Sequence, residues 1–587
     1  MTVLRIANCS GFYGDRMTAL REVVEGGPLD VVTGDYLAEL TMLILFRARA
    51  KDPTKGFATT FLRQLEPVLG QVVDRGITVV VNAGGLAPAA CAQAVRELAT
   101  ALGLTLAVAH VEGDDVLPLV GTVPLEHLDT GAALGPAVPL TAHAYLGAWG
   151  IAAALRQGAQ VVVTGRVTDA SLVVGPAAAH FGWAREDWDR LAGAVAAGHV
   201  LECGTQATGG NYSFWREEVE VPLRMGFPIA EIASDGSAVI TKHPGTGGAV
   251  TVGTVTAQLL YELGSPSYAG PDVLTRFDAL TLEQVGPDRV RLSGAVGEPP
   301  SGALKVGLNL LGGYRNRMEF VLTGLDVEDK AALALAGLRD AMPVLPAVFE
   351  HHLVRLDRPD APTNEQAAAL LRVSVKDPSP DPVGRAFSSA AVELALASYP
   401  GCTLTTAPGA ALPYGVFWPA LVPAALVEQV VVHPDGRREV VAHTVPAHTV
   451  PAPTVPAATP PPRPGPPTTP AWRGGSTRRL PLGTLIGARS GDKGGNAQVG
   501  LWARTDEAAA WLLATMTEAA FRVLLPEADG LAVQVHPLPN LRAVSVVVTG
   551  LLGEGVAAST RFDPQAKGLG EYLRSRLVDL PVSLVGR

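Results

Sequence analysis

Short apolar runs rich in valine and isoleucine recur through the first half of the chain, and each is followed by a glycine-rich corner and an amphipathic stretch. Clear examples begin at VLRIANCSGFYGD, ITVVVNAGGLAP and AQVVVTGRVTDASL. Continuous apolar runs of this length are typical of buried strands, and amphipathic stretches are typical of the helices that cover them. The pattern predicts a layered α/β domain with a largely parallel sheet.

From about residue 215 the pattern changes to shorter runs separated by turn pairs, as in IASDGSAVITKHPGTGGAVTVG and LEQVGPDRVRLSG. Helical patterns return at EDKAALALAGLRDAM and NEQAAALLRVSV, where we expect two amphipathic helices. This pattern predicts an α+β continuation of the first domain, with a subdivision near 215–270 as one option.

A segment rich in proline and alanine interrupts the chain at 441–477. Each proline removes a backbone donor and restricts φ, so an extended or disordered linker is predicted there. The linker divides the chain into a domain at 1–440 and a small α+β domain at 478–587, where strand patterns such as LAVQVHPL alternate with helical ones.

Composition narrows the class of protein. The 587 residues exceed what one hydrophobic core usually serves, and the net charge of -10 is spread without a long Lys/Arg tract, which argues against binding to nucleic acid or to an anionic membrane. The four cysteines show neither a zinc pattern nor a disulfide framework. No signal peptide or membrane-spanning run is apparent, so we expect a cytoplasmic protein.

Polar side chains directly follow three of the predicted strands. Because the carboxyl ends of parallel strands meet at one edge of a sheet, where ligands bind in open α/β sheets, we expect these corners to form one site. Their polar residues and glycines are Asp35 with Glu39, then Asn82, Gly84 and Gly85, then Thr164, Gly165, Arg166 and Asp169.

Each corner also has a purely structural interpretation. Asp35 could cap a helix, whereas Asp35 and Glu39 on one helix would place two carboxylates on a shared face. Arg166 offers a planar, permanently charged fork for a carboxylate or phosphate. Asp169 is a candidate general base, a helix cap, or simply the ion-pair partner of Arg166.

The densest group of polar residues lies in GHVLECGTQATGGN. His199 and Glu202 are the preferred pair for proton transfer, since a carboxylate can orient an imidazole whose pKa is near neutrality. Cys203 is either a nucleophile or inert packing, and the second is the more frequent role of a lone cysteine. Gln206, Gly209 and Gly210 complete the group, and its spacing does not force a metal site.

After the predicted linker, RSGDKGGNAQVG holds charged and amide side chains together with three closely spaced glycines at a strand end. The glycines could let backbone amides approach an anion that Arg489 and Lys493 neutralise. We expect this loop, including Ser490, Asp492 and Asn496, to dock on the sheet edge of the large domain. A solvated hairpin is the alternative.

Taken in order, these stretches resemble the acyclic terpene utilisation family of the AtuA type. The resemblance rests on VVTGDYLAELTM, VNAGGLAP, TGRVTDASL, HVLECGTQATGG and RSGDKGGNAQVG. Members join a large α/β domain to a small ferredoxin-like C-terminal domain, so the same arrangement is implied for 1–440 and 478–587. One departure is Ala87, where an asparagine is expected before the proline of VNAGGLAP.

The resemblance implies a part in the bacterial breakdown of acyclic terpenoids, whose branched acids are handled as acyl-CoA thioesters, and it leaves the chemical step open. The positions that match the family's motifs are Gly34, Asp35, Asn82, Gly84, Gly85, Thr164, Gly165, Arg166, Asp169, Glu202, Gly209, Gly210 and 490–496.

These observations lead to the hypothesis of an enzyme of hydratase or lyase type that acts on an acyl-CoA or a related carboxylate. Such chemistry needs acids and bases, donors for an enolate oxygen, and a grip on distant anionic groups. The acid–base candidates are His199, Glu202, Asp169 and Asp35, the donors are amides near 84–85 and 209–210, and the anion-binding candidates are Arg166, Arg489 and Lys493.

Two other functions stay open. The chain could be a non-catalytic subunit that binds an acyl-CoA or forms a complex for a partner enzyme. A nicotinamide-dependent oxidoreductase is disfavoured because the first corner, SGFYGD, lacks the GxGxxG fingerprint. We expect a homo-oligomer that binds a small acyl substrate, with no metal and with no cofactor beyond the coenzyme A moiety of that substrate.

Overall fold

The computed structural model describes residues 3–221, 223–444 and 474–585, so most of the predicted linker lies outside the described residues. The chain divides into two compact units. The first consists of Met1–Asn309, Phe417–Val556 and Asp563–Arg587, and the second of Leu310–Val416 and Ala557–Phe562. The boundaries predicted near 440 and 478 fall within the first unit and stay predictions.

Strands are the more numerous elements in the described residues. In chain order they are β1 (Leu4–Asn8), β2 (Val31–Gly34), β3 (Thr78–Val81), β4 (Val108–Glu112), β5 (Thr141–Ala144), β6 (Val161–Thr164), β7 (Pro228–Ile232), β8 (Ala238–Lys242), β9 (Ser267–Ala269), β10 (Leu274–Arg276), β11 (Thr281–Gly286), β12 (Arg289–Ser293), β13 (Val296–Glu298), β14 (Ala303–Thr323), β15 (Val348–Val354), β16 (Ala368–Asp377), β17 (Thr403–Leu404), β18 (Leu412–Pro423), β19 (Gln429–Val432), β20 (Arg438–Val441), β21 (Thr477–Pro481), β22 (Ile486–Lys493), β23 (Asn496–Ala503), β24 (Val533–Leu538), β25 (Ala543–Val548) and β26 (Leu577–Pro581).

None of the helices in the described ranges is long and apolar enough to span a bilayer. The helices are α1 (Ala19–Glu25), α2 (Glu39–Lys51), α3 (Thr59–Leu65), α4 (Leu69–Asp74), α5 (Pro88–Ala101), α6 (Trp149–Arg156), α7 (Ser171–Phe181), α8 (Trp188–Leu201), α9 (Trp215–Glu218), α10 (Val252–Leu260), α11 (Val327–Ala341), α12 (Pro380–Val383), α13 (Arg385–Ala397), α14 (Asp506–Thr515), α15 (Glu518–Leu524), α16 (Leu569–Ser575) and α17 (Val582–Val585).

The main sheet of the first unit is mixed, in the order β11-β12-β8-β7-β1-β2-β3-β6-β4-β19-β20. Its central strands β1, β2, β3, β6 and β4 are parallel, as the βα repeats of the sequence predict. The flanking strands pair antiparallel. A largely parallel sheet is therefore not confirmed, because the hairpins after residue 215 extend the sheet instead of forming a separate layer.

Helices cover both faces of this sheet because successive residues of each strand point in opposite directions. Val79 and Val81 pack into one apolar cluster with residues of α1, α3 and α5. Val80 lies in a second cluster with residues of α6, α7 and α8. The strands are thus buried on both faces, which accounts for their continuous valine runs.

The C-terminal part of the first unit is an α+β fold with its own core. Its antiparallel sheet has the order β22-β23-β25-β24, and β21 pairs with β26. Residues of α14, α15 and α16 cover the sheet in an apolar cluster that includes Val499, Leu512, Phe521 and Leu573.

The second unit contains the sheet β15-β16-β14-β17, in which residues 310–323 of β14 take part. Helices α11 and α13 pack on it through a cluster that includes Phe320, Leu338 and Phe387. The helix predicted at EDKAALALAGLRDAM is α11. The helix predicted at NEQAAALLRVSV is wrong, because most of that stretch forms β16, where Leu371, Val373 and Val375 alternate with the period of a strand.

Candidate functional site

Strands β1, β2, β3 and β6 end at the same edge of the main sheet, and their corners are bonded to one another. The amide of Asn82 donates to the carbonyl of Gly34 (3.3 Å), and the amide of Gly84 donates to the carbonyl of Thr164 (3.0 Å). The corner after β3 is therefore fixed to its neighbours on both sides. The structure brings the three predicted corners together at this edge.

Asp35 is a buried carboxylic acid, and its side chain is held by two donors. Its Oδ1 accepts hydrogen bonds from Asn82 Nδ2 (2.6 Å) and from the amide of Leu37 (3.2 Å). Burial raises the pKa of Asp35 well above its usual range and the nearby Asp169 raises it further, whereas Arg166 and Asn82 lower it. Burial therefore favours the neutral, protonated form of Asp35.

The predicted pairing of Asp35 with Glu39 on one helical face is wrong. Helix α2 begins at Glu39 with Ala38 as its N-cap residue, so Asp35 lies before the helix and does not cap it. The carboxylate of Glu39 instead lies 3.4 Å from Lys305 Nζ. Lys305 comes from β14 and is a site residue that the sequence did not single out.

Arg166 is a buried cation that connects two corners of the site. Its Nη1 donates to the carbonyl of Leu37 (2.7 Å), and its Nη2 donates to Asp169 Oδ1 (3.1 Å). The guanidinium also lies 4.2 Å from the centre of the Tyr145 ring. Burial by itself lowers the pKa of Arg166, but Tyr145 and Asp169 raise it, and the net shift is upward. The guanidinium therefore stays charged.

Asp114, which the sequence did not single out, fixes the main chain of this corner. Its Oδ2 accepts a hydrogen bond from the amide of Arg166 (2.8 Å) and lies 2.9 Å from His143 Nδ1. A Cβ atom at Gly165 would lie 2.4 Å from Asp114 Oδ1, so the corner requires glycine. The hydroxyl of Thr164 donates to the carbonyl of Gly165 (3.0 Å), which makes it a support within the corner.

Asp169 is the most accessible carboxyl group among the four predicted acid–base residues. Its side chain is 29% exposed, whereas that of Arg166 beside it is 5% exposed. Burial raises the pKa of Asp169 against the lowering effect of Arg166, and Glu262 raises it further. The ammonium groups of Lys305 and Lys493 lower it. Asp169 is thus a partly buried acid on which the charges of three cations act.

His199 and Glu202 form a buried pair at the C-terminal end of α8. His199 Nδ1 lies 3.2 Å from Glu202 Oε1, and the imidazole is fully buried against the rings of Tyr268 and Phe277. Burial lowers the pKa of His199, but the attraction of Glu202 prevails and raises it. Burial raises the pKa of Glu202 despite the charge of His199. His199 therefore lies behind Glu202 and can act only through it.

Asn8, at the end of β1, attaches this pair to the sheet edge. Its Nδ2 donates to the carbonyls of Leu201 (2.7 Å) and Glu202 (3.0 Å). Its Oδ1 accepts a hydrogen bond from the hydroxyl of Thr33 (3.3 Å). The end of α8 is thus held against the carboxyl ends of β1 and β2. No motif in the sequence pointed to this role of Asn8.

Cys203 has the surroundings of an inert thiol. Burial raises its pKa well above the usual range and the carboxylate of Glu202 raises it further. A Cβ atom at Gly11 would lie 2.7 Å from the Cys203 carbonyl carbon, so the opening SGFYGD corner serves close packing here. The neighbouring Gln206 keeps a buried Oε1 without a hydrogen-bond partner among the described residues.

The glycine amides that the sequence offered as oxyanion donors are committed to main-chain carbonyls. The bonds join Gly84 to Thr164, Gly85 to Asn82, Gly209 to Gln206 and Gly210 to Thr205. These glycines instead allow close packing, since a Cβ atom at Gly84 would lie 2.5 Å from the Thr164 carbonyl oxygen. The cations around Asp169, and not these glycine amides, are therefore the groups available to donate hydrogen bonds to an oxyanion.

The RSGDKGG motif is a hairpin and not a loop at the end of a strand. Residues Arg489–Lys493 are the last part of β22, Gly494 and Gly495 make the turn, and Asn496 begins β23. Asn496 supports the turn, because its Oδ1 accepts a hydrogen bond from the amide of Gly550 (2.9 Å). The hairpin is not solvated, since Arg489 and Ser490 are 5% and 2% exposed.

Alternate residues of β22 face different partners. Arg489 and Lys493 point towards residues that follow α10: the Arg489 guanidinium lies 4.5 Å from the Tyr261 ring centre, and Lys493 Nζ donates to the carbonyl of Glu262 (3.0 Å). Ser490 points the other way, where its hydroxyl accepts a hydrogen bond from the amide of Gly570 (2.8 Å). These contacts join the segment to the residues that follow α10 and to α16, and its expected docking on the sheet edge of the large domain stays a prediction.

Lys493 and Asp492 titrate away from their usual ranges. Burial and the nearby Lys305 lower the pKa of Lys493, whereas Glu262 and Glu202 raise it less. Burial raises the pKa of Asp492 to about 7, although Lys567 lowers it. An amine with a lowered pKa and a carboxylic acid with a raised pKa thus lie on neighbouring positions of β22.

Within the described ranges, no group of three or more His, Cys, Asp or Glu side chains is placed to hold a metal ion. The site consists of carboxylic acids, lysines, an arginine and phenols, which are side chains capable of acid–base chemistry. The sequence reasoning missed four residues of this set, because each reaches the sheet edge from an element that comes later in the chain. They are Tyr261, Glu262, Tyr268 and Lys305.

Comparison with protein families gives two matches. The model of the acyclic terpene utilisation family protein AtuA matches residues 4–433, and the model of the AtuA ferredoxin-like domain matches residues 480–579. Comparison with curated proteins found no match. Comparison with solved structures found none either.

Proposed function

Because the chain belongs to the AtuA family of acyclic terpene utilisation proteins, we propose that it is a hydratase or lyase that acts on an acyl-CoA or a related carboxylate. The substrate class is the branched acids of acyclic terpenoid metabolism. The reaction adds or removes water, or cleaves a carbon–carbon bond, next to the carbonyl group. The observation that carries the proposal is the group of carboxylic acids with raised pKa beside buried cations.

The cations supply the charge stabilisation that such a reaction needs. Removal of a proton beside a carbonyl places negative charge on its oxygen, and positive groups held in a low-dielectric site stabilise that charge. The charges of Arg166, Lys305 and Lys493 all act on the carboxyl group of Asp169, whose side chain is 29% exposed. In the proposal the carbonyl or carboxylate oxygen lies against these groups.

The acids divide the proton transfers between them. Asp169, which solvent reaches, exchanges a proton with the substrate, and Glu202, supported by His199, supplies the second acid or base. Asp35, whose pKa burial raises above its usual range, acts in its protonated form and donates to the reacting group or to Asp169. Two carboxyls in opposite protonation states are what the addition or loss of water requires.

The test is an assay of the full-length protein with branched enoyl-CoA and hydroxyacyl-CoA thioesters and with the matching free acids. Products are identified by mass spectrometry, and exchange of the hydrogen beside the carbonyl is followed in deuterated water. Water addition, water loss, carbon–carbon cleavage or deuterium exchange supports the proposal. Binding without exchange or turnover favours the non-catalytic acyl-CoA-binding subunit instead. If neither binding nor turnover is found, both the enzyme and the binding subunit are contradicted.

A further inference from the structure

A cleft of about 520 Å³ lies beside the acid cluster, between the segment Asn211–Glu217 and the C-terminal part of the first unit. Its basic lining residues are Arg216, Arg489, Lys567 and Arg574. Asp35, Asp169 and Glu202 do not line it. The lining of the cleft is therefore separate from the candidate catalytic carboxyl groups.

Arg489 is the clearest sign that an occupant of this cleft is an anion. The side chain is 5% exposed, and its Nη2 has no hydrogen-bond partner among the described residues. A buried guanidinium without a partner is costly, and phosphate or carboxylate oxygens are the groups that satisfy it. The centre of the Tyr261 ring lies 4.5 Å from the guanidinium.

The acidic side chains of the cleft do not supply the missing partner. Glu571 pairs with Arg574 (2.7 Å), and Glu217 pairs with Arg504 (2.5 Å). Lys567, whose side chain is 40% exposed, adds a second cation, and its Nζ lies 3.7 Å from Asp492 Oδ1. The Nη2 of Arg489, which has no hydrogen-bond partner among the described residues, and the exposed side of Lys567 are thus the positive groups that a ligand anion can meet.

The opposite wall of the cleft is aromatic. Trp215 is 44% exposed, and the guanidinium of Arg216 lies 5.1 Å from its ring centre. An exposed indole is a platform on which a planar base stacks. Phosphate-binding cations opposite an exposed indole match a phosphorylated nucleotide better than a simple carboxylate.

Strand β22 connects this cleft with the acid cluster. Arg489 and Lys493 lie on the same face of the strand four residues apart, which is about 13 Å at the rise of an extended chain. A ligand with a nucleotide at one end and a reacting carbonyl at the other needs a linear arm to span that distance. The pantetheine arm of coenzyme A has this form.

We propose that the cleft binds the phosphorylated nucleotide end of an acyl-CoA, with Arg489 and Lys567 on phosphate oxygens and Trp215 against the base. The arm then runs along β22 and presents the thioester to Lys493 and the acid cluster. This inference rests on the proposed function and names its substrate as a coenzyme A thioester and not the free acid.

The experiment is calorimetric titration of the full-length protein with free coenzyme A and with inorganic pyrophosphate. We expect Arg489→Gln and Lys567→Gln each to weaken coenzyme A binding about tenfold or more, because each removes a charge-assisted hydrogen bond. Trp215→Ala should weaken coenzyme A about fivefold or more and leave pyrophosphate unchanged, because only the base stacks. Arg479→Gln, on the exposed strand β21, is the matched control and should change neither affinity.

Three results overturn the inference: no binding of coenzyme A, unchanged affinity in both Arg489→Gln and Lys567→Gln, or a Trp215→Ala variant that binds coenzyme A as the parent does. Thermal unfolding identifies any variant that fails to fold. If Arg489→Gln does not fold, Lys567→Gln still tests the proposal, because Lys567 is exposed. Coenzyme A binding without turnover of any thioester leaves this site standing and ends the proposed function. Turnover of a thioester together with unchanged coenzyme A affinities in the variants keeps the proposed function and ends the proposed coenzyme A site.

Discussion

A Cβ atom on Gly491 would lie 2.4 Å from Cε2 of Tyr261, so the missing side chain at 491 is what lets the Tyr261 ring reach strand β22. The ring then lies under the Arg489 guanidinium and contacts Lys567 through its hydroxyl. Gly500, opposite Arg489 on β23, receives Leu260 in the same way. Two glycines of the hairpin therefore serve packing between the chain after α10 and the C-terminal part.

Gly491→Ala should destabilise the protein by about 1–3 kcal/mol, because the added methyl forces the Tyr261 ring or the strand to move. Chemical denaturation measures the change. Gly264→Ala is the control, since no atom lies within 4 Å of a Cβ there. In the Tyr261→Ala background the substitution should cost less, and an equal cost in both backgrounds would contradict the contact.

Arg166→Gln should lower the free energy of unfolding by about 3–5 kcal/mol, because it removes a buried cation that bonds both Asp169 and the carbonyl of Leu37. Arg190→Gln is a matched control, since Arg190 also pairs with an aspartate three residues away but is 47% exposed. The control should cost no more than about 1 kcal/mol. Similar losses of unfolding free energy in the two variants would show that burial of Arg166 does not increase its contribution to stability.

Asp169→Asn should reduce kcat for the thioester substrate by about 10²–10⁴-fold, the usual contribution of a general acid or base. The amide keeps the shape of the side chain, so we expect the affinity for coenzyme A to change little. Asp579→Asn, at a carboxylate that is 65% exposed, is the control. An unchanged kcat in Asp169→Asn would remove Asp169 from the proton transfers.

His199→Gln should move the acid limb of the pH–rate profile to higher pH. His199 lowers the pKa of Glu202, so its removal raises that pKa further and Glu202 loses its proton later as the pH rises. A purely structural role would lower the rate without moving the limb. Glu202→Gln should abolish the limb, which separates the positioning residue from the group that transfers the proton.

Asp492 should make folding stability decrease as the pH rises from about 4 to 7. Its pKa is about 7 in the folded protein and about 3.9 when unfolded, so the folded state binds more protons across this window. Asp492→Asn removes this loss and should gain about 2–4 kcal/mol relative to the parent at pH 8, with little difference near pH 3. Urea unfolding at a series of pH values measures it, and a constant difference between the two proteins would contradict the raised pKa.

The sequence predicted the sheet edge because local signals are sufficient there. Valine runs followed by glycine corners specify a buried strand and a tight turn from neighbouring residues alone, and Asp35, Asn82 and Arg166 lie where that reasoning placed them. The parallel order fails beyond the central strands because strand direction at the flanks depends on which hairpin adds to which edge. The strand β16 was mistaken for a helix because its alanine-rich start has helical propensity, which tertiary pairing with β14 and β15 overrides.

The missed site residues share a physical reason. Lys305, Tyr261 and Tyr268 have no local motif, and only the folded chain brings them to Asp169 and Lys493. Conversely, the glycine amides at 84–85 and 209–210 looked free in sequence because main-chain partners cannot be read from composition. A pattern locates corners, but it does not say which of their donors are already used.

The C-terminal part closes an apolar core of its own, and only side chains such as Trp502 and Leu541 join the core of the large sheet. Its hold on the rest of the first unit is therefore a non-covalent interface of glycine-lined grooves and paired charges. The peptide connection raises the effective concentration of the two parts for each other, but it does not determine how their surfaces pack. Produced as two separate polypeptides, these parts should therefore associate through this interface, and their fusion into one chain fixes their ratio at one to one.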